Sequence, residues 1–356
     1  MSNIILAIGL GFANLSANFD PETHTFGYIW GMTYPAFLFL NIAFMAYWMY
    51  SKKIHFLLSL ALILLGYANA RNLISINFKN SSNKVAEFSV MSFNVRLFNE
   101  YEWLENKEVK NNIFNHIEKM NPDIIAIQEF FESKESPKAN IKRFKELGYN
   151  YYVKEGNKVH SKKTSFFGLA IFSKQKIREH GIAFRRNDQS KSISYFADIE
   201  IGNKLIRIYN THLNSLGFQS EDYAFVENIG QNNEEETIRK SKTILSKIMI
   251  AARKRQEEVK GIKTHISKSP YPAIVLGDFN EPPYSYAYPQ FTETLLDPFQ
   301  RFGLGLGTTF DGISTIPGLR LDYVLHSNKL EAIQYIIGPK KLSDHRPIYT
   351  EFIFTE

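Results

Sequence analysis

Residues 273–283 read Ala-Ile-Val-Leu-Gly-Asp-Phe-Asn-Glu-Pro-Pro, and this stretch decides the fold that the sequence predicts. The four apolar residues 273–276 are typical of a short buried strand. Gly277 ends the run. Asp278 and Asn280 follow at i, i+2 spacing, which points both side chains the same way if the segment stays extended. A buried strand that ends in polar residues indicates a site at the rigid edge of a sheet.

Other predicted strands carry polar side chains at the same kind of position. These are Asn94 after strand 88–93, Glu129 after strand 124–127, His212 after strand 205–209, Asp322 within strand 321–326, and Asp344 with His345 before strand 347–354. Because a core excludes such residues unless they are paired, we expect them to converge on one functional site. Two structural alternatives stay open: Asp322 could pair with nearby Arg320, and His212 could be a satisfied core histidine.

Helical patterns alternate with these strands. Apolar residues recur at helical spacing in 109–120 and in the long polar segment 234–268. Strands of this number, interrupted by helices, predict an α/β domain with two packed sheets covered by helices.

Composition removes several classes of chemistry. The 356 residues contain no cysteine, which excludes disulfides, thiolate metal sites and cysteine nucleophiles. No P-loop, nucleophile elbow or dinucleotide fingerprint is present. The net charge of +6 suits a phosphorylated or polyanionic substrate, and equally a protein that lies near an anionic membrane.

The first part of the chain has a different character. Gly31–Tyr50 carries no charged side chain and Ile54–Ala70 carries only His55, so both are predicted to cross a bilayer. The shorter run Ile4–Ala17 is a short span, a signal-type segment or an interfacial helix. The alternative for all three is a buried helical hairpin in a soluble protein.

The predicted domains are a membrane anchor of two to three helices at 1–77, a linker at 78–86 and a catalytic domain at 87–356. Lys52 and Lys53 lie between the two longer spans. The positive-inside rule therefore predicts that this turn is cytoplasmic and that the catalytic domain is extracytoplasmic.

The residue types select hard-metal chemistry. Carboxylate and amide oxygens suit Mg²⁺ or Mn²⁺ and suit a four-coordinate zinc site poorly. Glu129 with Asn94 and Asp344 would be enough to hold Mg²⁺, which keeps several waters. His212 and His345 can supply a proton-transfer group and a phosphate contact.

The motifs together resemble those of the endonuclease/exonuclease/phosphatase (DNase I-like) superfamily, including its bacterial membrane-anchored members. They are MSFNVR at 91–96, IAIQE at 125–129, NTHLNS at 210–215, GDFNEPP at 277–283, LDYVL at 321–325 and SDHRPI at 343–348. The resemblance covers about 85–354. It implies two packed, mostly antiparallel sheets in a four-layer sandwich, and a multi-pass protein of the bacterial inner membrane.

The resemblance also implies roles for single residues. Asn94, Glu129 and Asp344 would hold the divalent metal, Mg²⁺ or Mn²⁺. Asp278 would orient or deprotonate the attacking water, and Asn280 would position it. His345 would contact the phosphate or shuttle a proton, with Asp322 fixing its tautomer, and His212 would stabilise developing charge. Whether Asp278 or His345 is the general base is left open.

The expected activity is metal-assisted hydrolysis of a phosphodiester or phosphomonoester. The substrate is either nucleic acid or a phospholipid headgroup, and the lipid bilayer is a partner through the N-terminal helices. The alternative is a catalytically inactive module that binds a phosphate ligand. No protein partner is predicted.

Overall fold

The computed structural model describes residues 2–16, 19–133, 135–136, 138–158, 165–187, 192–228, 233–313, 315–316 and 318–355. The strands in these residues are β1 (Ser75–Ile76), β2 (Phe88–Asn94), β3 (Ile124–Glu132), β4 (Tyr151–Lys158), β5 (Phe166–Ser173), β6 (Ile177–Arg185), β7 (Ile193–Ile201), β8 (Lys204–His212), β9 (Ala273–Asp278), β10 (Leu304–Gly305), β11 (Asp322–His326), β12 (Leu330–Ile337) and β13 (Ile348–Phe354).

Helices occur in the N-terminal part and between the strands. They are α1 (Ser2–Ser16), α2 (Thr25–Gly31), α3 (Tyr34–Tyr50), α4 (Phe56–Leu65), α5 (Tyr67–Leu73), α6 (Val109–Met120), α7 (Ala139–Glu146), α8 (Ser220–Glu227), α9 (Glu234–Ile266), α10 (Ala287–Thr292) and α11 (Phe299–Phe302). A short 3-10 turn lies at Arg96–Asn99.

Two large sheets pack face to face in the described part of the chain. One has the strand order β11-β9-β8-β7-β6, and the other has the order β12-β13-β2-β3-β5-β4. Most neighbouring strands are antiparallel, but β2 with β3 and β8 with β9 are parallel pairs near the centre of their sheets. The predicted α/β architecture of two packed sheets covered by helices is confirmed.

Each central strand is buried on both faces, which explains its continuous apolar sequence. In β2, Phe88 and Val90 face the opposite sheet, whereas Met91 and Phe93 face a second core formed with α6 and α7. The five-stranded sheet has its outer core against α9 and α10. The result is four layers: helices, sheet, sheet and helices.

Helix α9 covers the outer face of the five-stranded sheet. Its first turn is acidic, and Asn233 caps it by accepting a hydrogen bond from the backbone N–H of Glu236 at 2.8 Å. Its apolar face begins at Met249 and places Ala252, Val259 and Ile262 in the core. The predicted helix 234–268 therefore forms and fixes the layer behind the strands that carry His212 and Asp278.

The N-terminal helices form a bundle with a small core of its own. Among the described helices, none is by itself long and apolar enough to cross a membrane. Two helix pairs have, when each pair is taken together, the length and apolar composition of a membrane span. They are α2 with α3, bent by 51°, and α4 with α5, bent by 76°. The predictions of continuous spans at 31–50 and 54–70 are corrected. The chain breaks at residues 32–33, just before α3 begins at Tyr34 with Pro35 in its first turn, and it bends again at Gly66 between α4 and α5.

The bundle buries several polar side chains beside its apolar core and exposes many apolar ones. Asn41 is fully buried and donates to the backbone oxygen of Leu6 on α1 at 3.0 Å, and the hydroxyl of Ser59 lies 3.0 Å from the side-chain oxygens of both Asn3 and Asn41. Large apolar side chains on the helices are exposed instead; they include Ile4, Ile5, Ile8, Leu15, Leu57, Leu64 and Leu65.

The segment between the bundle and the two-sheet lobe (residues 87–355) is hydrogen-bonded to that lobe. Strand β1 pairs with β10. Within the predicted linker 78–86, the N–H of Ser82 donates to Ile333 at 2.7 Å, and the N–H of Tyr335 donates to Asn80 at 3.0 Å. These residues therefore run along the edge of β12, and the domain boundaries themselves stay a prediction.

Candidate active site

The predicted site residues lie at the same end of the two sheets. The C-terminal halves of β2, β3, β8 and β9 point toward this end, and β11 and β13 begin there. Asp278 lies opposite His212 in the parallel pair β8–β9. On its other side, Asp278 lies opposite Asp322 in the antiparallel pair β9–β11. Three functional side chains thus come from neighbouring positions on adjacent strands.

Gly277 is required by the close approach of β9 to β8. Its φ is +141°, and a Cβ atom built there would lie 1.9 Å from the carbonyl oxygen of Thr211. Asn280 adopts φ 52°, so the segment turns after Asp278 and does not stay extended. The Asn280 side chain donates to the Leu213 carbonyl at 2.9 Å, while its backbone N–H donates to Asp278 Oδ1 at 2.8 Å. Asn280 therefore joins the His212 and Asp278 segments.

Asp278 occupies the centre of the site and is 1% exposed. Its Oδ2 accepts a hydrogen bond from Asn94 Nδ2 at 3.1 Å. The same oxygen lies 3.6 Å from Nε2 of His212 and 3.6 Å from Nε2 of His345. One carboxylate oxygen is therefore surrounded by an amide and two imidazoles from three different strands or loops.

His345 is oriented by Asp322. Its Nδ1 lies 2.8 Å from Asp322 Oδ2, so Nε2 is the nitrogen that faces Asp278. Burial opposes protonation of His345, but the charges of Asp322 and Asp278 outweigh it and raise its pKa well above the ordinary value. For the Asp322 carboxyl, burial raises the pKa and the charge of His345 lowers it, and the net shift is upward. Arg320 pairs with Asp297 at 2.7 Å, so it is not the ion-pair partner of Asp322.

Glu129 is re-aimed by an irregularity in its strand. The pairing of β3 with β5 shifts register between Ile127 and Phe130, and Glu129 has φ 51°. Such a bulge turns a side chain away from the regular alternation of the strand. Burial raises the pKa of Glu129, the charge of His212 lowers it, and the charge of Asp344 raises it. The carboxylate thus belongs to the same charged cluster.

Glu129 has the character of a ligand for a cation. Within the described ranges of the chain, no hydrogen bond or ion pair involves its carboxylate. The oxygen of Asn94 accepts from the N–H of Arg96 at 3.1 Å and keeps a second lone pair. A half-buried carboxylate without a partner in the described residues, in the same charged cluster as Asn94, fits a hard divalent ion.

Asp344 has a competing partner that the sequence analysis did not include. Arg96 Nη1 lies 3.1 Å from Asp344 Oδ2, and the guanidinium lies 4.7 Å from the ring centre of Trp103. Residues 96–99 all have positive φ, which is an unfavourable conformation for residues other than glycine. A strained turn therefore places Arg96 between the site and an exposed aromatic side chain.

A second group of side chains could also approach a metal. Ligand atoms of Asp278, Asp322 and His345 all lie within 4.8 Å of one another. However, Asp322 Oδ2 and His345 Nδ1 are already joined by a hydrogen bond. The metal set of Asn94, Glu129 and Asp344 stays a prediction.

Gln128 and Asn210 belong to the motifs at 125–129 and 210–215, and the structure shows what they contact. Both are fully buried. Gln128 Nε2 donates to Asn210 Oδ1 at 2.7 Å, and Asn210 Nδ2 donates to the carbonyls of Ile127 and Ala170 at 2.9 Å each. This pair ties the two sheets together beneath the site. Their position before Glu129 and His212 in the motifs is the signal that could have identified them.

Comparisons with known proteins agree with this geometry. A family model described as the Endonuclease/Exonuclease/phosphatase family matches residues 91–345. A second model, described as a domain of unknown function, matches residues 1–73. A search of curated proteins gives no match.

Solved structures share the fold at low sequence identity. The catalytic domain of human Nocturnin with bound sulfate anion has a TM-score of 0.54 and 18% identity, over 76% of this chain and 96% of that chain. An endonuclease/exonuclease/phosphatase family protein from Leptotrichia buccalis has a TM-score of 0.51 and 16% identity, over 75% of this chain and 100% of that chain. D. rerio TDP2 complexed with single strand DNA product has a TM-score of 0.51 and 16% identity, over 75% of this chain and 98% of that chain.

The family model covers most of the chain, including every predicted site residue from Asn94 to His345. The chain belongs to the endonuclease/exonuclease/phosphatase family.

Proposed function

We propose that this chain is a membrane-anchored, divalent-metal-dependent hydrolase of phosphate esters. The observation that carries the proposal is the convergence of Asn94, His212 and His345 on one oxygen of Asp278, with Glu129 in the same charged cluster. A core without function would not bury this many ionisable groups together.

Glu129, Asn94 and Asp344 would hold the divalent ion, Mg²⁺ or Mn²⁺. When bound, such an ion polarises a phosphoryl oxygen and neutralises charge that develops in the transition state. Arg96 would then exchange its contact with Asp344 for one with the substrate phosphate, since a guanidinium binds phosphate oxygens in a fixed fork.

Asp278 orients the attacking water and accepts its proton. His345 is held as an imidazolium by its two carboxylate neighbours, so it donates from Nε2 to a phosphate oxygen more readily than it accepts a proton. His212 places its Nε2 on the same side of Asp278 and stabilises developing negative charge. Asn280 fixes the loop that carries Asp278.

The N-terminal bundle anchors the enzyme in a bilayer. Its exposed apolar side chains, together with its buried hydrogen bonds at Asn41 and Ser59, are typical of helices that pack in a bilayer. The pairs α2–α3 and α4–α5 each have the length and composition of a broken span, with α2 packed against the two-sheet lobe through Tyr28. With Lys52 and Lys53 in the cytoplasm, the catalytic domain faces outward at a bacterial inner membrane.

Nucleic acid is the substrate class that the surroundings of the site favour. Trp103 is 44% exposed, lies 5.2 Å from the ring of Tyr101, and stacks on the guanidinium of Arg96. Aromatic side chains beside a cation are used to stack unpaired bases next to a bound phosphate. A phospholipid headgroup is the second candidate, because a bilayer anchor brings lipid to the enzyme at high effective concentration.

A substrate panel tests the function. The full chain in detergent would be offered single-stranded oligonucleotide, plasmid DNA and vesicles of labelled phospholipid, each with Mg²⁺, Mn²⁺ or EDTA. We expect oligonucleotide cleavage that EDTA abolishes. Headgroup release without cleavage of nucleic acid would make the lipid the substrate, and binding without turnover of any ester would establish the inactive module.

A variant tests the substrate class more sharply. Base stacking contributes about 1–3 kcal/mol per base, so Trp103→Ala should raise the KM for an oligonucleotide and leave hydrolysis of bis-p-nitrophenyl phosphate unchanged. The control is Tyr151→Ala, which removes an exposed aromatic side chain from β4. Equal effects of the two substitutions would reject the stacking role of Trp103.

A further inference from the structure

A side chain from the N-terminal bundle contacts the loop that follows Asp278. Tyr28 of α2 is 3% exposed and belongs to the core that lies between the five-stranded sheet and helices α9 and α10. Its hydroxyl donates to Glu281 Oε1 at 2.9 Å and accepts from Ser285 Oγ at 3.1 Å. Glu281 is the residue that follows Asn280, so Tyr28 is separated from the Asp278 segment by a single hydrogen bond.

Glu281 is held by groups from several directions. Its Oε1 also accepts from Arg255 Nε at 2.7 Å, its Oε2 accepts from the N–H of Ala287 at 2.8 Å, and its backbone carbonyl accepts from Tyr323 at 2.8 Å. The Glu281 and Arg255 side chains are 1% and 2% exposed. A buried ion pair of this kind depends on each of its hydrogen bonds, because water cannot replace a missing one.

The same arginine reaches the second catalytic segment. Arg255 Nη1 donates to the carbonyl oxygen of Asn214 at 2.8 Å, two residues after His212. Asn214 in turn donates its N–H to Glu258 of the same helix at 2.9 Å. Tyr28, Glu281 and Arg255 therefore form a connected path from the N-terminal bundle to the loops that carry both Asp278 and His212.

We propose that Tyr28 is a positioning residue of the active site, and that the N-terminal bundle acts on catalysis through it and is not only a tether. Catalysis of this kind depends on the placement of a few groups to within a fraction of an ångström. Loss of the Tyr28 hydroxyl would loosen the loop at Glu281 and misplace Asp278 relative to His345. The expected loss of activity rests on the proposed function, whereas the expected change in hydrogen exchange of the loop does not.

The experiment compares Tyr28→Phe with Asp20→Ala in the full chain. Tyr28→Phe keeps the ring in the core and removes only the hydroxyl. Asp20 contacts the buried Gln256 and the exposed Lys260 of α9, so Asp20→Ala weakens the contact of the same bundle with α9 without touching Glu281. Hydrogen exchange of residues 278–287 is measured by mass spectrometry, together with kcat and KM for each variant per folded molecule.

We expect faster exchange at 278–287 in Tyr28→Phe only, with unchanged exchange in β2 and β3. We also expect kcat to fall about 10-fold to 100-fold with little change in KM, as misplacement of a catalytic group predicts. Exchange at 278–287 that is unaltered, or equally raised in both variants, overturns the proposal. If exchange rises but no ester is hydrolysed even by the wild type, the proposed function fails and the positioning role stands.

Discussion

Nε2 of His345 lies 3.6 Å from Oδ2 of Asp278, although one residue precedes β13 of one sheet and the other ends β9 of the opposite sheet. The two sheets meet at this point through two buried ionisable side chains, not through apolar packing. The Asp322 carboxylate behind His345 fixes which nitrogen faces Asp278. This relationship joins the two halves of the site and gives the first prediction.

Asp278→Asn should abolish most hydrolysis without unfolding the protein, because the amide is isosteric but accepts a proton poorly. The expected fall in kcat is about 10²-fold to 10⁴-fold, the usual contribution of a general base. The measurement is hydrolysis of bis-p-nitrophenyl phosphate with Mg²⁺. Glu331→Gln, on the far strand β12, should retain full activity. Substantial turnover by Asp278→Asn would contradict the assigned centre.

Glu129→Gln should weaken binding of the divalent ion by at least about tenfold, because it removes the charge of the carboxylate that we place on the ion. A matched control lies on the same strand. Glu132 is buried and accepts from the backbone N–H of Ile141 at 2.8 Å. Glu132→Gln should therefore leave metal affinity unchanged. Mn²⁺ titration followed by electron paramagnetic resonance measures both, and equal affinities for the two variants would remove Glu129 from the metal site.

The site could be predicted because its residues follow apolar strands. Asn94, His212 and Asp278 end their strands, and Glu129 lies inside β3 shortly after its apolar start, so each polar residue follows a largely buried segment. Parallel pairing then brings such ends to one edge, which is a property of the sheet and not of any single motif. The common position followed from the sequence, although the distances did not.

Other features could not be predicted from local pattern. Strand β6 lies at the edge of its sheet, and its sequence Ile-Arg-Glu-His-Gly-Ile-Ala-Phe-Arg has no apolar run. Arg96 reaches Asp344 only because residues 96–99 adopt a left-handed turn, for which the sequence has no glycine. Tyr28 lies between the predicted apolar runs 4–17 and 31–50, and its hydrogen bond to Glu281 depends on tertiary packing across most of the chain.

The stability of the catalytic lobe should fall as the pH rises from about 4.5 to about 7, in part because of Glu258. Burial raises the pKa of this carboxyl from 4.5 to about 7. A group with a raised folded-state pKa stabilises the fold fully below its unfolded pKa, and that stabilisation is lost as the pH passes the folded pKa. The change corresponds to about 3 kcal/mol. Glu258→Gln should therefore raise the melting temperature at pH 8 and have little effect at pH 4. An equal shift at both pH values would show that folding does not raise the pKa of Glu258.

Ile8→Asp tests whether the outer surface of the bundle contacts lipid. Ile8 is 68% exposed and lies in the middle of α1. An aspartate at the centre of a membrane helix costs about 2.5–3.5 kcal/mol, whereas the same residue on a water-exposed helix costs little. We expect the variant to be lost from the membrane fraction, or to be extracted from it by alkaline carbonate, while the wild type resists extraction. Ile182→Asp on β6, where the isoleucine is 42% exposed, should remain as firmly bound as the wild type. Retention of Ile8→Asp equal to that of Ile182→Asp would mean that this face of α1 does not contact the hydrocarbon core.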